Sequence, residues 1–103
     1  MVKKINEAEF RQEAMKGLSV VDFSAVWCGP CKMVAPVLES ISEELDGQMA
    51  FYNVDVDENM NLAMEYKITN IPAILVMKDG EALDLLVGFR PKQQMLEDLK
   101  KYL

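Results

Sequence analysis

The stretch that decides the fold is residues 18–31, which read LSVVDFSAVWCGPC. Its first part, Leu18 to Phe23, is short, apolar and rich in β-branched residues, so it predicts a buried strand. The part from Trp27 to Cys31 contains a glycine and a proline and predicts a turn that opens a helix. The stretch therefore predicts a strand that ends near two cysteines and is followed directly by a helix.

The rest of the chain alternates between helix and strand patterns. Before the stretch, an edge strand is predicted at Val2 to Ile5, and Asn6 with Glu9 has the spacing of a reciprocal helix cap. That first helix is expected to end at Gly17. After the stretch, apolar periodicity and turn residues predict a helix that ends near Gly47, a strand over Met49 to Val56, a short helix within Asn59 to Tyr66, a strand over Ala73 to Met77, a turn over Lys78 to Glu81, a strand over Ala82 to Val87 and a last helix opened by Pro91.

This order of elements predicts an α/β fold with a central mixed β-sheet flanked by helices on both faces. Strands separated by helices are expected to be parallel, because right-handed crossovers join parallel strands. The last two strands are joined by a tight turn and are expected to be antiparallel. The chain has 103 residues, so residues 1–103 are expected to form a single domain.

The charge balance disfavours two classes of partner. The chain has 17 acidic and 11 basic side chains and a net charge of −6, which argues against nucleic acid and against an anionic membrane surface. The longest apolar run, Ile71 to Met77, is too short to span a bilayer. The basic start of the chain is not followed by the apolar stretch of a signal peptide, so we expect a cytoplasmic protein.

The two cysteines, Cys28 and Cys31, are the candidates for chemistry. A disulfide between them closes a very short loop and constrains the unfolded chain little, so the pair indicates redox chemistry or metal binding. Structural zinc needs four ligands, and the chain has two cysteines and no histidine. We therefore expect no metal, although a zinc ion shared between two chains stays an alternative.

The position of the cysteines favours thiol–disulfide exchange. A cysteine at a helix N-terminus has a lowered pKa and is more nucleophilic. Cys28 is nearer the exposed turn and is the candidate nucleophile, and Cys31, one helical turn further on, is the candidate resolving thiol. Gly29 lets the backbone turn, and Pro30 fixes φ in the first helical turn.

The residues WCGPC at 27–31 resemble the active-site signature of the thioredoxin family. The resemblance covers essentially the whole chain, including Asp22-Phe23, Pro36, Ile71-Pro72, Asp79-Gly80 and Val87-Gly88. It implies the thioredoxin fold and a protein-disulfide reductase that acts through a Cys28/Cys31 redox pair. It also implies two kinds of partner, a thioredoxin reductase and disulfide-containing client proteins. We expect no cofactor and a monomer.

The resemblance also assigns roles to residues outside the cysteine pair. Asp22, which by pattern alone is also consistent with an outward polar residue, matches the buried aspartate that transfers a proton. Ile71-Pro72 matches a cis-proline that faces the cysteines, where pattern alone favours a trans bond. Trp27, elsewhere a typical core anchor, flanks the cysteines on the surface. The apolar docking patch for substrate is completed by Gly29, Pro30, Asn70, Ile71, Val87, Gly88 and Phe89.

Two positions depart from the family pattern. Many members have a lysine near the buried aspartate where this chain has Asn53, and a second tryptophan is common where it has Ser24. Losing a nearby positive charge favours the neutral carboxylic acid.

Two other functions remain as alternatives. One is a thioredoxin-fold binding subunit in which the cysteines are unused. The other is a thiol oxidase or isomerase.

Overall fold

The computed structural model describes residues 1–103 and contains a five-stranded sheet. The strands are β1 (Val2–Lys4), β2 (Leu18–Ser24), β3 (Ala50–Asp55), β4 (Ala73–Lys78) and β5 (Glu81–Val87). Their order in the sheet is β1-β3-β2-β4-β5. The helices are α1 (Glu7–Glu9), α2 (Gly29–Glu44), α3 (Met60–Glu65) and α4 (Lys92–Lys100), with a π-helical segment at Phe10–Ala14. The predicted α/β class and the mixed sheet are confirmed.

The direction of one strand differs from the prediction. Strand β3 is parallel to β1 and β2, as expected for strands separated by helices. Strand β4 is antiparallel to β2, so the expectation of a parallel crossover is wrong there. Phe23 near the end of β2 is level with Val54, late in β3, and with Ala73, the first residue of β4. The chain thus enters β4 at the end of the sheet where it left β3. The six residues of α3 span only about 9 Å, too little to return along a strand of about 20 Å.

The first helical region is also less regular than predicted. The reciprocal cap is present, because the Asn6 side chain accepts from the Glu9 N–H (2.9 Å) and the Glu9 side chain accepts from the Asn6 N–H (3.0 Å). Helix α1 then gives way to the π-helical segment before the chain turns at Gly17. Phe10 and Ala14 are buried in this segment, and their spacing of four residues does not distinguish an α-helix from a π-helix.

Helices cover both faces of the sheet, as the sequence predicts. On one face, α2 and α4 pack against β2 and β4 through a cluster that includes Val20, Leu38, Ile41, Ile74 and Leu99. On the other face, the π-helical segment and α3 pack through a cluster that includes Phe10, Val21, Phe23, Leu62 and Leu75. Because side chains alternate along a strand, β2 is buried on both sides and holds the following turn in a fixed position. None of the helices is both long and apolar enough to cross a membrane.

Candidate functional site

Cys28 lies at the junction between β2 and α2, where it caps the helix. Its side chain accepts the main-chain N–H of Cys31, with 3.3 Å between N and Sγ. Pro30 lies in the first turn of the helix, where its missing N–H costs no intrahelical hydrogen bond. The free N–H groups and the dipole of a helix N-terminus favour negative charge. The fold therefore holds the Cys28 sulfur where a thiolate is stabilised.

Cys28 and Cys31 form a disulfide with 5.3 Å between their Cα atoms. The sequence suggests that Cys28 is the more exposed cysteine. In the structure the two are buried to nearly the same extent, since Cys28 is 5% exposed and Cys31 is 4% exposed. The cysteines form a small cluster with Ala25, and the side chains of Val56 and Ile71 pack against it. Val56 and Ile71 lie in loops that are distant from the cysteines in sequence. No residue near the WCGPC motif therefore indicates that they cover Cys28. The helix cap, rather than exposure, distinguishes Cys28 from Cys31.

Asp22 is buried in the middle of the sheet, 3% exposed, so it is not an outward polar residue. It lies on the same face of β2 as Val20, the face covered by α2. Its Oδ1 has no hydrogen-bond partner, and its Oδ2 lies 3.4 Å from the amide nitrogen of Asn53. Burial raises the pKa of Asp22 to about 7, and the Asn53 hydrogen bond lowers it only in part. A carboxyl group that changes charge near neutral pH thus lies beneath the helix that carries the cysteines.

The two positions that depart from the family pattern are in contact with each other. The Asn53 amide donates to the Ser24 hydroxyl at 2.8 Å and to the main-chain carbonyl of Asp22 at 3.2 Å. Strand register explains this, because Asp22 is level with Asn53 and Ser24 is the next residue on the same face. The sequence marks the two departures separately, and the parallel pairing of β2 with β3 brings them together.

The Ile71–Pro72 bond is cis, the isomer that the resemblance implies. The carbonyl oxygen of Ile71 lies 3.9 Å from the Cys28 sulfur. Pro72 is buried, and its carbonyl accepts the N–H of Gly88 at 2.8 Å. The N–H of Ile71 has no hydrogen-bond partner in the chain. An unpaired main-chain donor therefore lies beside the disulfide.

Trp27 lies on the surface and is 67% exposed, so it is not a core anchor. Its indole N–H donates to the Asp57 carboxylate, with 2.8 Å between Nε1 and Oδ2. No motif in the sequence marks Asp57 as a site residue. The available signal is topological, since Asp57 follows β3 at the end of the sheet where β2 also ends.

The other members of the predicted patch lie at the same end of the sheet. Ala73, which follows Pro72, is paired with Val87, so the chain from Val87 to Phe89 runs beside the cis-proline. Gly29, Pro30, Asn70, Val87 and Phe89 are exposed, and Gly88 is half-buried. None of the surface cavities is lined by Cys28 or Cys31. The disulfide therefore lies beneath an open apolar surface and not in a pocket for a small molecule.

A helix-capping cysteine paired with a second cysteine beneath an open surface defines a thiol–disulfide oxidoreductase site. Comparison with known proteins agrees with this class. The family model for Thioredoxin matches residues 1–101. The chain is 46% identical over 102 residues to a thioredoxin of Listeria monocytogenes serovar 1/2a, covering 99% of each chain.

Two staphylococcal thioredoxins are similar to the same extent. The chain is 44% identical over 102 residues to one from Staphylococcus epidermidis and 43% identical over 102 residues to one from Staphylococcus aureus, covering 99% of this chain and 98% of each relative. The chain belongs to the thioredoxin family, and its Cys28–Cys31 pair carries dithiol–disulfide redox chemistry.

Proposed function

We propose that the protein is a protein-disulfide reductase in which Cys28 is the nucleophile and Cys31 the resolving thiol. The observation that carries this proposal is the Cys31 N–H donated to the Cys28 sulfur at the start of α2. This hydrogen bond stabilises negative charge on the Cys28 sulfur. It therefore makes Cys28 the better nucleophile and the better leaving group of the two cysteines.

The exchange proceeds in two displacements. In the first, the Cys28 thiolate attacks one sulfur of a client disulfide; a mixed disulfide forms, and the other client sulfur leaves as a thiolate and takes up a proton. In the second, Cys31 loses its proton and attacks the Cys28 sulfur. The Cys28–Cys31 disulfide forms and the second client sulfur leaves. The client gains two electrons and two protons, and the dithiol loses them.

We assign Asp22 to the proton transfer of the second displacement. A Cys31 thiol must lose its proton before it attacks, and a carboxylate with a pKa of about 7 is matched to this task near neutral pH. Support also comes from the unpartnered Oδ1 of Asp22, which has a lone pair available in the core. In the reverse direction, the protonated Asp22 returns the proton to the Cys31 thiolate as the disulfide is reduced.

Client proteins are expected to dock as an extended segment against the cis-proline loop. Support comes from the free N–H of Ile71, a residue whose carbonyl oxygen lies 3.9 Å from the Cys28 sulfur, since such an N–H can pair with an extended segment. The apolar surface of Trp27, Pro30 and Val87 supplies the surrounding contacts, and Gly29 and Gly88 let a client backbone approach closely. Main-chain pairing is independent of client sequence, so this mode suits a reductase with many clients.

Partners and location follow from the same chemistry. We propose a thioredoxin reductase as the electron donor, because the Cys28–Cys31 disulfide must be reduced after each client. We propose the cytoplasm as the compartment, since thiols are kept reduced there. We propose that the protein acts as a monomer and does not bind nucleic acid or membranes.

The test is the equilibrium reduction potential of the Cys28–Cys31 pair, titrated against a thiol buffer and followed by the fluorescence of Trp27. A potential more reducing than the glutathione pool supports the reductase. A markedly more oxidising potential indicates an oxidase or isomerase instead. For a two-electron couple, about 30 mV is a tenfold change in the equilibrium constant, so the method separates the two. An absent redox transition leaves a binding subunit as the function.

A further inference from the structure

The Asn53 side chain has two N–H hydrogens and three acceptors within reach. Its amide nitrogen lies 2.8 Å from the Ser24 hydroxyl, 3.2 Å from the Asp22 main-chain oxygen and 3.4 Å from Asp22 Oδ2. The first two distances are those of normal hydrogen bonds, and the third is longer than the usual range. Ser24 and the main chain therefore take the two hydrogens, and the carboxylate has the weakest contact.

No other group in the chain compensates for this weak contact by donating a hydrogen bond to the Asp22 carboxylate. On the same face of the sheet, Lys4 is level with Asn53 but pairs with Glu58 at 3.1 Å. Asp55 is level with Ser24, and its carboxylate accepts the main-chain N–H of Asp57 at 2.8 Å.

The helices on this face add no charge against Asp22. Helix α2 contributes the cysteine pair, which is a disulfide here, an exposed Lys32 and Glu39, whose carboxylate accepts the Val2 N–H. On α4, Lys92 pairs with Glu44 and Asp98 with Arg90, and the other two charged side chains, Glu97 and Lys100, are exposed. On β4, the residue level with Asp22 is the apolar Ile74. Asn53 is therefore the one donor within reach of this carboxylate.

We propose that Ser24 and Asn53 are positioning residues for Asp22: the Ser24 hydroxyl holds the Asn53 amide off the carboxylate, which leaves Asp22 able to exchange a proton with the cysteine pair. The inference rests on the proposed role of Asp22 in proton transfer.

Two substitutions are expected to act in opposite directions. Ser24→Ala removes the nearest acceptor, so the freed N–H turns to Asp22 Oδ2 and stabilises the ionised form. Asn53→Ala removes the donor and destabilises that form. Ser24→Thr keeps the hydroxyl and is the matched control. Asp22→Asn reports whether the carboxyl acts at all.

The experiment is stopped-flow reaction of the reduced protein with excess dithiobis(nitrobenzoate). The first thionitrobenzoate released reports attack by Cys28, and the second reports resolution by Cys31. For the second release, the rate of the unmodified protein is expected to rise with pH through a step centred on the titration of Asp22. Ser24→Ala is expected to move this step down by about one pH unit, since a hydrogen bond to a charged group has that strength. Ser24→Thr leaves it in place, and Asn53→Ala moves it up.

Two results would overturn different parts of the argument. If Ser24→Ala and Ser24→Thr both keep the unmodified profile while Asp22→Asn loses the step, the positioning role of Ser24 and Asn53 is wrong and the role of Asp22 stands. If Asp22→Asn keeps the step, Asp22 is not the proton carrier, and both its assigned role and the positioning role of Ser24 and Asn53 fail, while the exchange between Cys28 and Cys31 stands.

Discussion

The two ends of β2 differ in how their polar groups are hydrogen-bonded. At the start of the strand, Gly17 and Asp79 are joined twice. The Gly17 N–H donates to the Asp79 carboxylate, and the Asp79 N–H donates to the Gly17 carbonyl, both at 2.9 Å. Towards the other end, Asp22 is buried with one carboxylate oxygen unpartnered, and the Ile71 N–H nearby is free.

This difference distinguishes the end of β2 that only turns the chain from the end that lies near the cysteines. Buried polar groups normally find partners, because an unpaired one costs about 1–3 kcal/mol. At the start of the strand, the exposed turn of Gly17 and Asp79 is fully paired, and the group left without a partner is the neutral hydroxyl of the buried Ser19. The end that carries the cysteines leaves a carboxylate oxygen and an amide N–H without partners, and we propose that these serve a proton and a client chain. Substitutions at the two ends test this contrast.

The largest effect is expected from the cysteines. Cys28→Ser should abolish reduction of a protein disulfide, because the attacking thiolate is lost and Cys31 alone has no partner with which to complete the exchange. The Cys31→Ser variant should still attack the client disulfide through Cys28. It should then accumulate a mixed disulfide between Cys28 and the client, since the resolving thiol is absent. Mass spectrometry of the intact protein after reaction with a client detects the adduct. An adduct formed by Cys28→Ser through Cys31 would reverse the assigned roles.

Asp22→Asn should stabilise the protein at high pH. The pKa of Asp22 is raised on folding to about 7, so the folded state holds the proton more tightly than the unfolded state does. Wild-type stability therefore falls as pH rises from about 4 to about 7, and the loss is complete above that range. The amide variant lacks this loss and should gain stability on the order of 2–4 kcal/mol at about pH 8, with little gain at about pH 4.

Denaturant unfolding of the disulfide form at these two pH values measures the effect. A gain that is equal at both values would show that the variant acts through packing and not through the charge of Asp22. Asp79→Asn, at the other end of the sheet, is the matched control and should not reproduce the gain.

Gly88 and Gly17 form a matched pair for the two ends. Both have positive φ, +95° and +66°, and a Cβ added at either meets no atom within 4 Å. Gly88→Ala and Gly17→Ala should each cost about 1–2 kcal/mol through backbone strain alone. Only Gly88→Ala should slow reduction of a protein client, because Gly88 lies in the docking patch. Thermal unfolding and a client assay together separate these effects. A similar loss of client reduction in both variants would remove the distinction.

The smallest effect is expected from Asp57→Asn. The exposed hydrogen bond to Trp27 loses its charge but keeps an oxygen acceptor, so a change of about 1 kcal/mol or less is expected. The rate with a protein client should fall only a few-fold, with a measurable change in Trp27 fluorescence. A loss as large as that of Cys28→Ser would mean that Asp57 has a role in the chemistry.

Local patterns predicted the parts of this protein that depend on neighbouring residues. The strand before Trp27, the helix after it and the cysteine at the helix start follow from periodicity and from Gly29-Pro30. The direction of β4 could not be predicted from local patterns, because it depends on whether helix α3 is long enough to return the chain along the sheet. The covering of Cys28 by Val56 escaped prediction, and the position of Ile71 beside the cysteines came only from the family resemblance, since both residues come from distant loops. The contact between Ser24 and Asn53 required the register of two strands.

The most direct test of the contrast between the two ends is the titration of the Asp22 carboxyl group in the disulfide form, followed by carbon-13 NMR and assigned with Asp22→Asn. We expect a pKa of about 7, because Asp22 is buried with only one weak donor. A midpoint near 4, the ordinary value for an aspartate, would contradict it. Such a result would mean that the carboxylate is fully stabilised in the fold and is not poised to carry a proton.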